Sequence, residues 1–220
     1  MRCIIVTGGP LRDEAAGLIK ALSCSEDSFL TACDSGCDFL ARHDIVPDIV
    51  VGDMDSISEA GLEFIEKHDI FTERYPVEKD WTDTEIALKK TEGGDVFIVC
   101  PLAGRIDHVI ANIQLISSPE ITGRIVATDG KTFCYPLKGN DSVEIDLKPF
   151  ECPVSVSLIP MDFSCPVTGV TTKGLYYPLE DHDLKAGPSF SFSNHPVPGE
   201  NSFSVSIRSG ILLVTVTPEV

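Results

Sequence analysis

Short apolar runs alternate with helical periodicity along the first half of the chain. Cys3–Val6 is an apolar run of strand length, and apolar residues then recur at helical spacing from Leu11 to Leu22. Four further apolar runs predict strands, at residues 29–32, 49–51, 96–100 and 125–127. Because strands that alternate with helices form mostly parallel sheets, this half predicts a doubly wound α/β sheet with helices on both faces.

Two capping boxes predict where helices of this half begin. Residues 56–59, Ser-Ile-Ser-Glu, predict a helix with Leu62 and Ile65 facing inward. The spacing Thr82-x-x-Glu85 predicts a second helix, capped by Thr82. In both boxes a hydroxyl oxygen can accept a backbone N–H of the first turn, so the chain has a local reason to start a helix there.

The pattern changes to strict alternation in the second half. Apolar residues alternate with acids at 143–147 and with serines at 154–158 and 203–207. Ser209-Gly210 predicts a turn that joins the last of these strands to residues 211–217 in a hairpin. Because no helical period of useful length appears in this half, it predicts an antiparallel β-sandwich or barrel.

The change of period divides the chain into two predicted domains. A mostly parallel, Rossmann-like α/β domain is expected over residues 1–135, and an antiparallel β-sandwich domain over residues 140–220. The linker is predicted at residues 136–140, where Pro, Lys, Gly and Asn coincide with the change of period.

The charge is strongly acidic, with 34 acidic against 17 basic residues and a formal net charge of −17. Nucleic-acid backbones and anionic membranes attract basic faces, so neither is expected as a partner. An acidic protein that handles a phosphate substrate needs a cation between the two. The eight cysteines include no C-x-x-C pair, and no apolar run approaches the roughly 20 residues of a membrane span, so we expect a reduced, cytoplasmic protein.

A Gly-Asp-Met-Asp-Ser segment at residues 52–56 follows the predicted strand at 49–51. The carboxyl ends of parallel strands form the edge of an α/β sheet where ligands bind. The two carboxylates of this turn suit Mg²⁺, which takes one or two carboxylates and fills its other positions with water or phosphate oxygens. The alternative is an ordinary helix start, where the macrodipole favours acids.

A second polar segment, at residues 79–83, lies where the helix capped by Thr82 is predicted to begin. Phosphate can bind the free N–H groups of such a helix start. Acids are also common in a first helical turn that binds nothing. Trp81, inside this segment, can stack on a base or cover the core, and we favour packing in the core or at its edge.

A third segment, Gly-Arg-Ile-Asp-His at residues 104–108, follows the fourth predicted strand and so belongs to the same edge. Gly104 permits close approach of the backbone, and Arg105 can clamp an anion. His108 and Asn112, four residues apart, share the polar flank of the helix that follows. His108 alone is typical of a structural histidine, with a proton shuttle as the alternative.

Five acids are predicted at strand-to-helix junctions of one sheet: Asp34, Asp53, Asp55, Asp83 and Asp107. Such junctions converge, and carboxylates gathered there repel one another unless a divalent cation is bound. The chain contains no G-x-x-x-x-G-K-[ST] loop, no G-x-G-x-x-G fingerprint and no G-x-S-x-G elbow. The combination predicts a Mg²⁺-dependent enzyme of phosphate chemistry that uses neither a P-loop nor a standard dinucleotide fold signature.

The order of these motifs resembles the thiamine pyrophosphokinase family. The similarity begins at Ala-Cys-Asp-Ser-Gly (32–36), continues through the three segments described above, and extends to Phe-Ser-Asn (192–194) and the strand-forming residues 209–214. It implies transfer of the terminal diphosphate of ATP to the hydroxyl of thiamine, which gives thiamine diphosphate and AMP. It also implies an α/β domain followed by a β-sandwich, and a homodimer with active sites between the subunits.

The resemblance further implies roles for individual residues. Mg²⁺ and the ATP phosphates would be held by Asp53, Asp55 and Asp83. The remaining nucleotide contacts would come from Asp34, Lys79, Asp80, Thr82, Arg105, His108 and Asn112. Thiamine would be held by Asp107 together with Ser193 of the partner subunit and Asn194. The proton of the thiamine hydroxyl would pass to a carboxylate, either Asp83 or Asp55.

Two other functions fit parts of the pattern. A related diphosphokinase that acts on a hydroxymethylpterin would share the metal and ATP motifs and differ near Asp107, Ser193 and Asn194. A non-catalytic nucleotide or metabolite sensor would be expected to lose some metal-site acids, and this sequence retains them. Formation of AMP from ATP in the presence of Mg²⁺ and thiamine separates the three.

Overall fold

The computed structural model describes residues 1–91, 94–150 and 152–219, which fold into two compact units. The first unit comprises Met1–Leu115 and Glu120–Lys131. The second comprises Ile116–Pro119 and Thr132–Val220.

The first unit is built on six parallel strands in the order β4-β3-β2-β1-β5-β6. The strands are β1 (Arg2–Val6), β2 (Ser28–Cys33), β3 (Ile49–Gly52), β4 (Phe71–Arg74), β5 (Asp95–Val99) and β6 (Ile125–Thr128). The helices between them are α1 (Glu14–Ser23), α2 (Gly36–Arg42), α3 (Glu59–Lys67), α4 (Asp83–Lys89) and α5 (Ile106–Ser117). The predicted parallel α/β sheet is therefore confirmed.

The centre of this sheet explains its apolar sequence pattern. Strand β1 lies between β2 and β5, and Ile4, Ile5 and Val6 are at most 1% exposed. A strand covered on both faces has no polar alternation, which is why β1 reads as a continuous apolar run. The strand order reverses on either side of β1, so the carboxyl ends of these strands form the crevice that ligands use in such sheets.

The second unit contains two antiparallel sheets, with strand orders β7-β13-β9 and β11-β10-β12-β8. The strands are β7 (Phe133–Lys138), β8 (Asp141–Asp146), β9 (Val154–Pro160), β10 (Val167–Lys173), β11 (His182–Leu184), β12 (Ser202–Ile207) and β13 (Ile211–Pro218). Apolar side chains of both sheets, among them Phe203 of β12 and Val214 of β13, pack into one core. The predicted C-terminal β-sandwich is confirmed.

The predicted hairpin between the last two strands is wrong. Strand β12 pairs with β8 and β10, whereas β13 pairs with β7 and β9. The turn at Ser209-Gly210 therefore carries the chain from one sheet to the other. A second difference concerns the predicted linker, because residues 136–138 lie inside β7 and pair with β13.

The two capping boxes predict one helix start correctly and one incorrectly. Thr82 caps α4 as predicted, since its Oγ1 accepts the N–H of Glu85 at 3.2 Å. Helix α3 instead begins after Ser58, whose Oγ accepts the N–H of Gly61 at 3.2 Å. With this start Gly61 and Phe64 are buried, and Leu62, predicted to face inward, is 43% exposed. No helix among the described residues is long and apolar enough to cross a membrane.

Candidate active site

Three carboxylates meet at the carboxyl edge of the parallel sheet. Asp34 follows β2, Asp53 follows β3, and Asp83 is the first residue of α4. Each offers one oxygen atom, and the three oxygen atoms lie within 4.8 Å of one another. We call Asp34, Asp53 and Asp83 the acid cluster. The sheet topology places it where ligands bind in folds of this class.

The backbone around the acid cluster is shaped for close contact. Gly52 has φ +150°, and a Cβ atom at this position would lie 1.9 Å from Oδ1 of Asp34. Asp34 and Met54 have φ values of +43° and +70°, which residues other than glycine rarely adopt. The N–H of Met54 donates to Oδ1 of Asp34 at 3.3 Å. The Asp34 carboxylate therefore packs directly against Gly52 in the turn after β3. The positive φ values at Asp34 and Met54 cost stability, and backbone strain of this kind is typical of functional sites.

Lys79 supplies the positive charge within the acid cluster. Its Nζ lies 3.2 Å from Oδ2 of Asp53 and 3.1 Å from Oδ1 of Asp83. The Lys79 side chain is only 13% exposed, and those of Asp53 and Asp83 are 11% and 14% exposed. Ion pairs between partly buried side chains are screened less than fully exposed pairs. Lys79 thus offsets part of the repulsion among the three acids.

The titration of the acid cluster reflects its crowding. Burial, the hydrogen bond to Asp83 and the charge of Asp83 together raise the pKa of Asp34 to about 7, and burial contributes most. Asp53 shifts in the opposite direction. The backbone N–H of Asp55 donates to Asp53 at 3.1 Å and holds the pKa of Asp53 below its usual range, with Lys79 adding to the effect. Near neutral pH the cluster can therefore hold a proton on Asp34 while Asp53 stays ionised.

The donor atoms of the acid cluster fit a hard divalent cation. Oδ1 of Asp83 is enclosed and has no hydrogen-bond partner among the described residues, although the Lys79 ammonium lies beside it as an ion-pair partner. Buried carboxylate oxygens normally find such partners. Three convergent carboxylates, one of which has an unsatisfied oxygen, match the all-oxygen coordination that Mg²⁺ prefers.

Asp55, which the sequence places in the metal site, lies at the margin of the acid cluster. Its side chain is exposed, and its hydrogen bond to Asp53 raises the pKa of Asp55. Asp80 and Thr82 are also exposed, in the loop that leads from β4 to α4. Of the core or edge packing favoured for Trp81, the structure excludes the core, since Trp81 is 53% exposed and the Lys89 ammonium lies 4.2 Å from the centre of its ring.

The segment after β5 forms a separate charged pair. Nη2 of Arg105 lies 2.6 Å from Oδ2 of Asp107, and both side chains are more than half exposed. This contact lowers the pKa of Asp107 and raises that of Arg105. His108 is exposed and Asn112 half-buried on α5. Among the described side chains, Arg105 pairs with Asp107 rather than with the acid cluster, so its guanidinium faces solvent, where an anion can reach it.

The predicted substrate residues of the second unit differ in kind. Ser193 is exposed and has φ +57°. Asn194 is 8% exposed, and its amide makes three hydrogen bonds to backbone groups. Its Oδ1 accepts the N–H groups of Tyr177 and His195 at 3.1 and 2.9 Å, and its Nδ2 donates to the carbonyl of Tyr177 at 2.8 Å. Asn194 therefore fixes the local backbone and has little hydrogen-bonding capacity left for a ligand.

Comparison with known families accounts for both units. The sequence model described as "Thiamin pyrophosphokinase, catalytic domain" matches residues 21–126, and that described as "Thiamin pyrophosphokinase, vitamin B1 binding domain" matches residues 142–212. A thiamine pyrophosphokinase of Bacillus subtilis is 30% identical over 96% of this chain and 95% of its own length. The chain belongs to the thiamine pyrophosphokinase family.

Solved structures agree with this membership. The crystal structure of a thiamine pyrophosphokinase from Bacillus subtilis superposes with a TM-score of 0.81 at 26% identity, and each chain is covered completely. A thiamin pyrophosphokinase from Geobacillus thermodenitrificans gives 0.76 at 27% identity, over 100% of this chain and 98% of its own. The enzyme from Candida albicans gives 0.78 at 15% identity, over 99% and 90%, which concerns the fold alone.

The part of the chain matched by the thiamine pyrophosphokinase catalytic domain contains the whole acid cluster and Lys79. The sequence predicts that Asp34 converges with Asp53 and Asp83 at one sheet edge, but it assigns Asp34 to the nucleotide and does not predict that Asp34, rather than Asp55, completes the cluster. Nor does it predict the contact of Cys33, whose thiol donates to the backbone oxygen of Asp83 at 3.6 Å. The available signal was the position of Asp34 directly after a buried strand, beside the strand that precedes Asp53.

Proposed function

We propose that this chain is a Mg²⁺-dependent thiamine diphosphokinase, which transfers the terminal diphosphate of ATP to the hydroxyl of thiamine and releases AMP. Membership of the thiamine pyrophosphokinase family supports the reaction. The observation that carries the metal-dependent chemistry is the acid cluster with its unsatisfied Asp83 oxygen.

Mg²⁺ would be held by Asp53 and Asp83, which belong both to the acid cluster and to the predicted ligand set. The two sets differ in their third member. It is Asp34 in the acid cluster and Asp55 in the predicted ligand set. When bound, the cation would neutralise charge on the phosphates of ATP and strengthen the diphosphate as an electrophile. The Gly52 turn keeps the Asp34 carboxylate in place and so defines the space that the cation would fill.

The cationic side chains would position the diphosphate. Phosphoryl-type transfer needs little covalent help from the protein, and most of the catalysis comes from positioning and charge neutralisation. Lys79 is the cation within the acid cluster, and Arg105 presents an exposed guanidinium at a later loop of the same sheet. Both would contact phosphate oxygens, with Asp80, Thr82, His108 and Asn112 as the further predicted contacts of the nucleotide.

Thiamine is a cation, which an acidic cleft attracts. Asp107 would hold it together with Ser193 of the partner subunit, and the proposal therefore includes a homodimer. Asn194 would act by holding the backbone beside Ser193, since its amide is used by Tyr177 and His195. The hydroxyl proton would pass to Asp83 or Asp55, which are the carboxylates assigned to this step. We place the reaction in the cytoplasm.

The deciding experiment uses purified protein with ATP, Mg²⁺ and thiamine, followed for AMP and thiamine diphosphate by chromatography. Equal formation of both products supports the proposal. Turnover with a hydroxymethylpterin but not with thiamine would support the related diphosphokinase, with the same diphosphate transfer to a different substrate. Nucleotide binding without turnover of either substrate would favour the sensor.

A further inference from the structure

Lys79 is the most enclosed cation of this region. Three oxygen atoms surround its Nζ, namely Oδ2 of Asp53 at 3.2 Å, Oδ1 of Asp83 at 3.1 Å and the carbonyl of Pro76 at 3.3 Å. The ammonium donates hydrogen bonds to Asp53 and to the carbonyl of Pro76, and it forms an ion pair with Asp83. The position of Lys79 is thus defined by contacts and is not that of a mobile surface side chain.

Two neighbouring lysines provide the comparison. Lys89 pairs with Glu85 across one helical turn, and Lys90 pairs with Glu73, but the side chains of Lys89 and Lys90 are 41% and 43% exposed. Pairs of that kind contribute little to stability because water competes for both charges. Lys79 is 13% exposed and contacts acids that are themselves enclosed, so its removal would leave uncompensated charges away from bulk solvent.

Two carboxylates that hold Lys79, those of Asp53 and Asp83, also belong to the acid cluster. Asp53 and Asp83 are the two carboxylates common to the acid cluster and the predicted metal ligands. Mg²⁺ binds carboxylate oxygens much more closely than an ammonium does, and its double charge repels an adjacent ammonium strongly. The Lys79 ammonium and a divalent cation therefore compete for the same place.

From these contacts we infer that Lys79 is the built-in counter-cation of the metal site: its ammonium stands in for the divalent cation in the metal-free protein and must leave Asp53 and Asp83 before the metal binds. This inference rests on the metal site of the proposed function. The four-carbon stem of lysine allows the ammonium to move by several rotatable bonds while the loop stays in place. The displaced charge remains beside the site, available to the phosphates that arrive with the metal.

The test is titration of the metal-free, full-length protein with Mn²⁺ alone, followed by the electron paramagnetic resonance signal of free Mn²⁺. The variants are Lys79→Gln, which removes the charge, and Lys79→Arg, which keeps it. Lys89→Gln is the matched control, because Lys89 also pairs with an acid four residues away in the chain but lies outside the acid cluster. Thermal unfolding of each protein in chelator reports the stability of the metal-free form.

We expect Lys79→Gln to bind Mn²⁺ at least about tenfold more tightly than the unaltered protein, because the competing charge is gone. The same variant should unfold at a lower temperature in chelator, and added Mn²⁺ should restore the loss. Lys79→Arg should bind Mn²⁺ as weakly as the unaltered protein, and Lys89→Gln should change neither quantity.

Mn²⁺ binding by Lys79→Gln that equals or is weaker than that of the unaltered protein would overturn the inference, since Lys79 would then be no competitor. The outcome is separate from that of the proposed function. Diphosphate transfer with unchanged Mn²⁺ affinity in Lys79→Gln rejects the inference and retains the function. Tighter Mn²⁺ binding in a protein that shows no transfer retains the inference and rejects the function.

Discussion

The carboxyl edge of the parallel sheet and the loops of the sandwich use polar residues in opposite ways. At the sheet edge, charged side chains crowd together with an unsatisfied oxygen on Asp83 and positive φ values at Asp34 and Met54. In the sandwich, the buried amide of Asn194 makes three hydrogen bonds to backbone groups. The first arrangement costs stability and the second provides it. This contrast separates residues kept for chemistry from residues kept for structure.

The strongest test of this contrast is removal of one acid from the cluster. Asp53→Asn should lower kcat for AMP formation by about a thousandfold, the scale on which loss of one electrostatic contact to a reacting group is felt. The fold should persist, because the cluster loses repulsion as well as charge. Circular dichroism and the melting temperature check the fold, and a coupled assay for AMP checks the rate.

The control for this variant is Asp95→Asn, an exposed acid at the start of β5. It should retain normal turnover. Near-normal turnover in Asp53→Asn would show that Asp53 is not a metal ligand. The sheet edge would then no longer be an example of residues kept for chemistry.

The second prediction compares one glycine from each region. Gly52→Ala places a Cβ 1.9 Å from Asp34 Oδ1, so it should displace the Asp34 carboxylate, cost about 1–3 kcal/mol of stability and lower activity sharply. Gly139→Ala, in the sandwich, has φ +68° but meets no atom within 4 Å. It should cost about 1–2 kcal/mol from its left-handed backbone alone and leave activity unchanged.

Urea unfolding and steady-state kinetics on both glycine variants measure these effects. Equal activities for the two would show that the position of Asp34 is unimportant. Equal stabilities with unequal activities would sharpen the contrast, because the difference would then lie wholly in the placement of the carboxylate.

The glycine pair also marks the limit of what the sequence can predict. The alternation of strands and helices, and the change to period two, identify both folds because hydrophobic periodicity follows burial directly. The convergence of acids follows from topology, since ends of parallel strands share an edge. The packing of Asp34 on Gly52 could not be predicted, because it depends on backbone angles of a turn that no local pattern specifies.

The other errors of the sequence prediction, in both units, have a similar origin. Ser209-Gly210 has the composition of a hairpin turn whether the strands it joins pair with each other or belong to different sheets. Strand β4, at the sheet edge, was missed because Phe-Thr-Glu-Arg lacks the apolar content of a buried strand. The capping box predicts Ser56 as a helix cap, whereas its hydroxyl accepts the N–H of Ser35 at 3.3 Å. In each case a tertiary partner decided between two local structures.

The third prediction concerns the Ser-Asn motif of the sandwich. Asn194→Ala should lower the free energy of unfolding by about 2–3 kcal/mol, because it leaves the N–H and carbonyl groups of Tyr177 without partners. Ser193→Ala should leave stability almost unchanged, since Ser193 is exposed. If Ser193 contacts thiamine as proposed, its variant should raise KM for thiamine. Unchanged stability in Asn194→Ala would contradict the structural role assigned to that amide.

The smallest predicted effect is the pH dependence that Asp34 gives to the metal-free protein. Its pKa in the folded state is about 7, above the value of 3.8 for an unperturbed aspartate, so the folded protein binds the proton more tightly than the unfolded chain. Stability from this group is therefore greatest at acidic pH and declines as the pH rises from about 4 to 7.

Asp34→Asn should abolish that decline and stabilise the metal-free protein at pH 8 by about 1–2 kcal/mol, after allowance for solvent screening. Urea unfolding in chelator at pH 5 and pH 8 measures the effect, and Asp95→Asn, exposed at the start of β5, is the control. A stabilising substitution at Asp34 that also removes activity would place this residue among those kept for chemistry. Equal stability of Asp34→Asn and the unaltered protein at both pH values would mean that ionised Asp34 does not lower the free energy of unfolding. Asp34 and Asn194 would then no longer differ as the contrast requires.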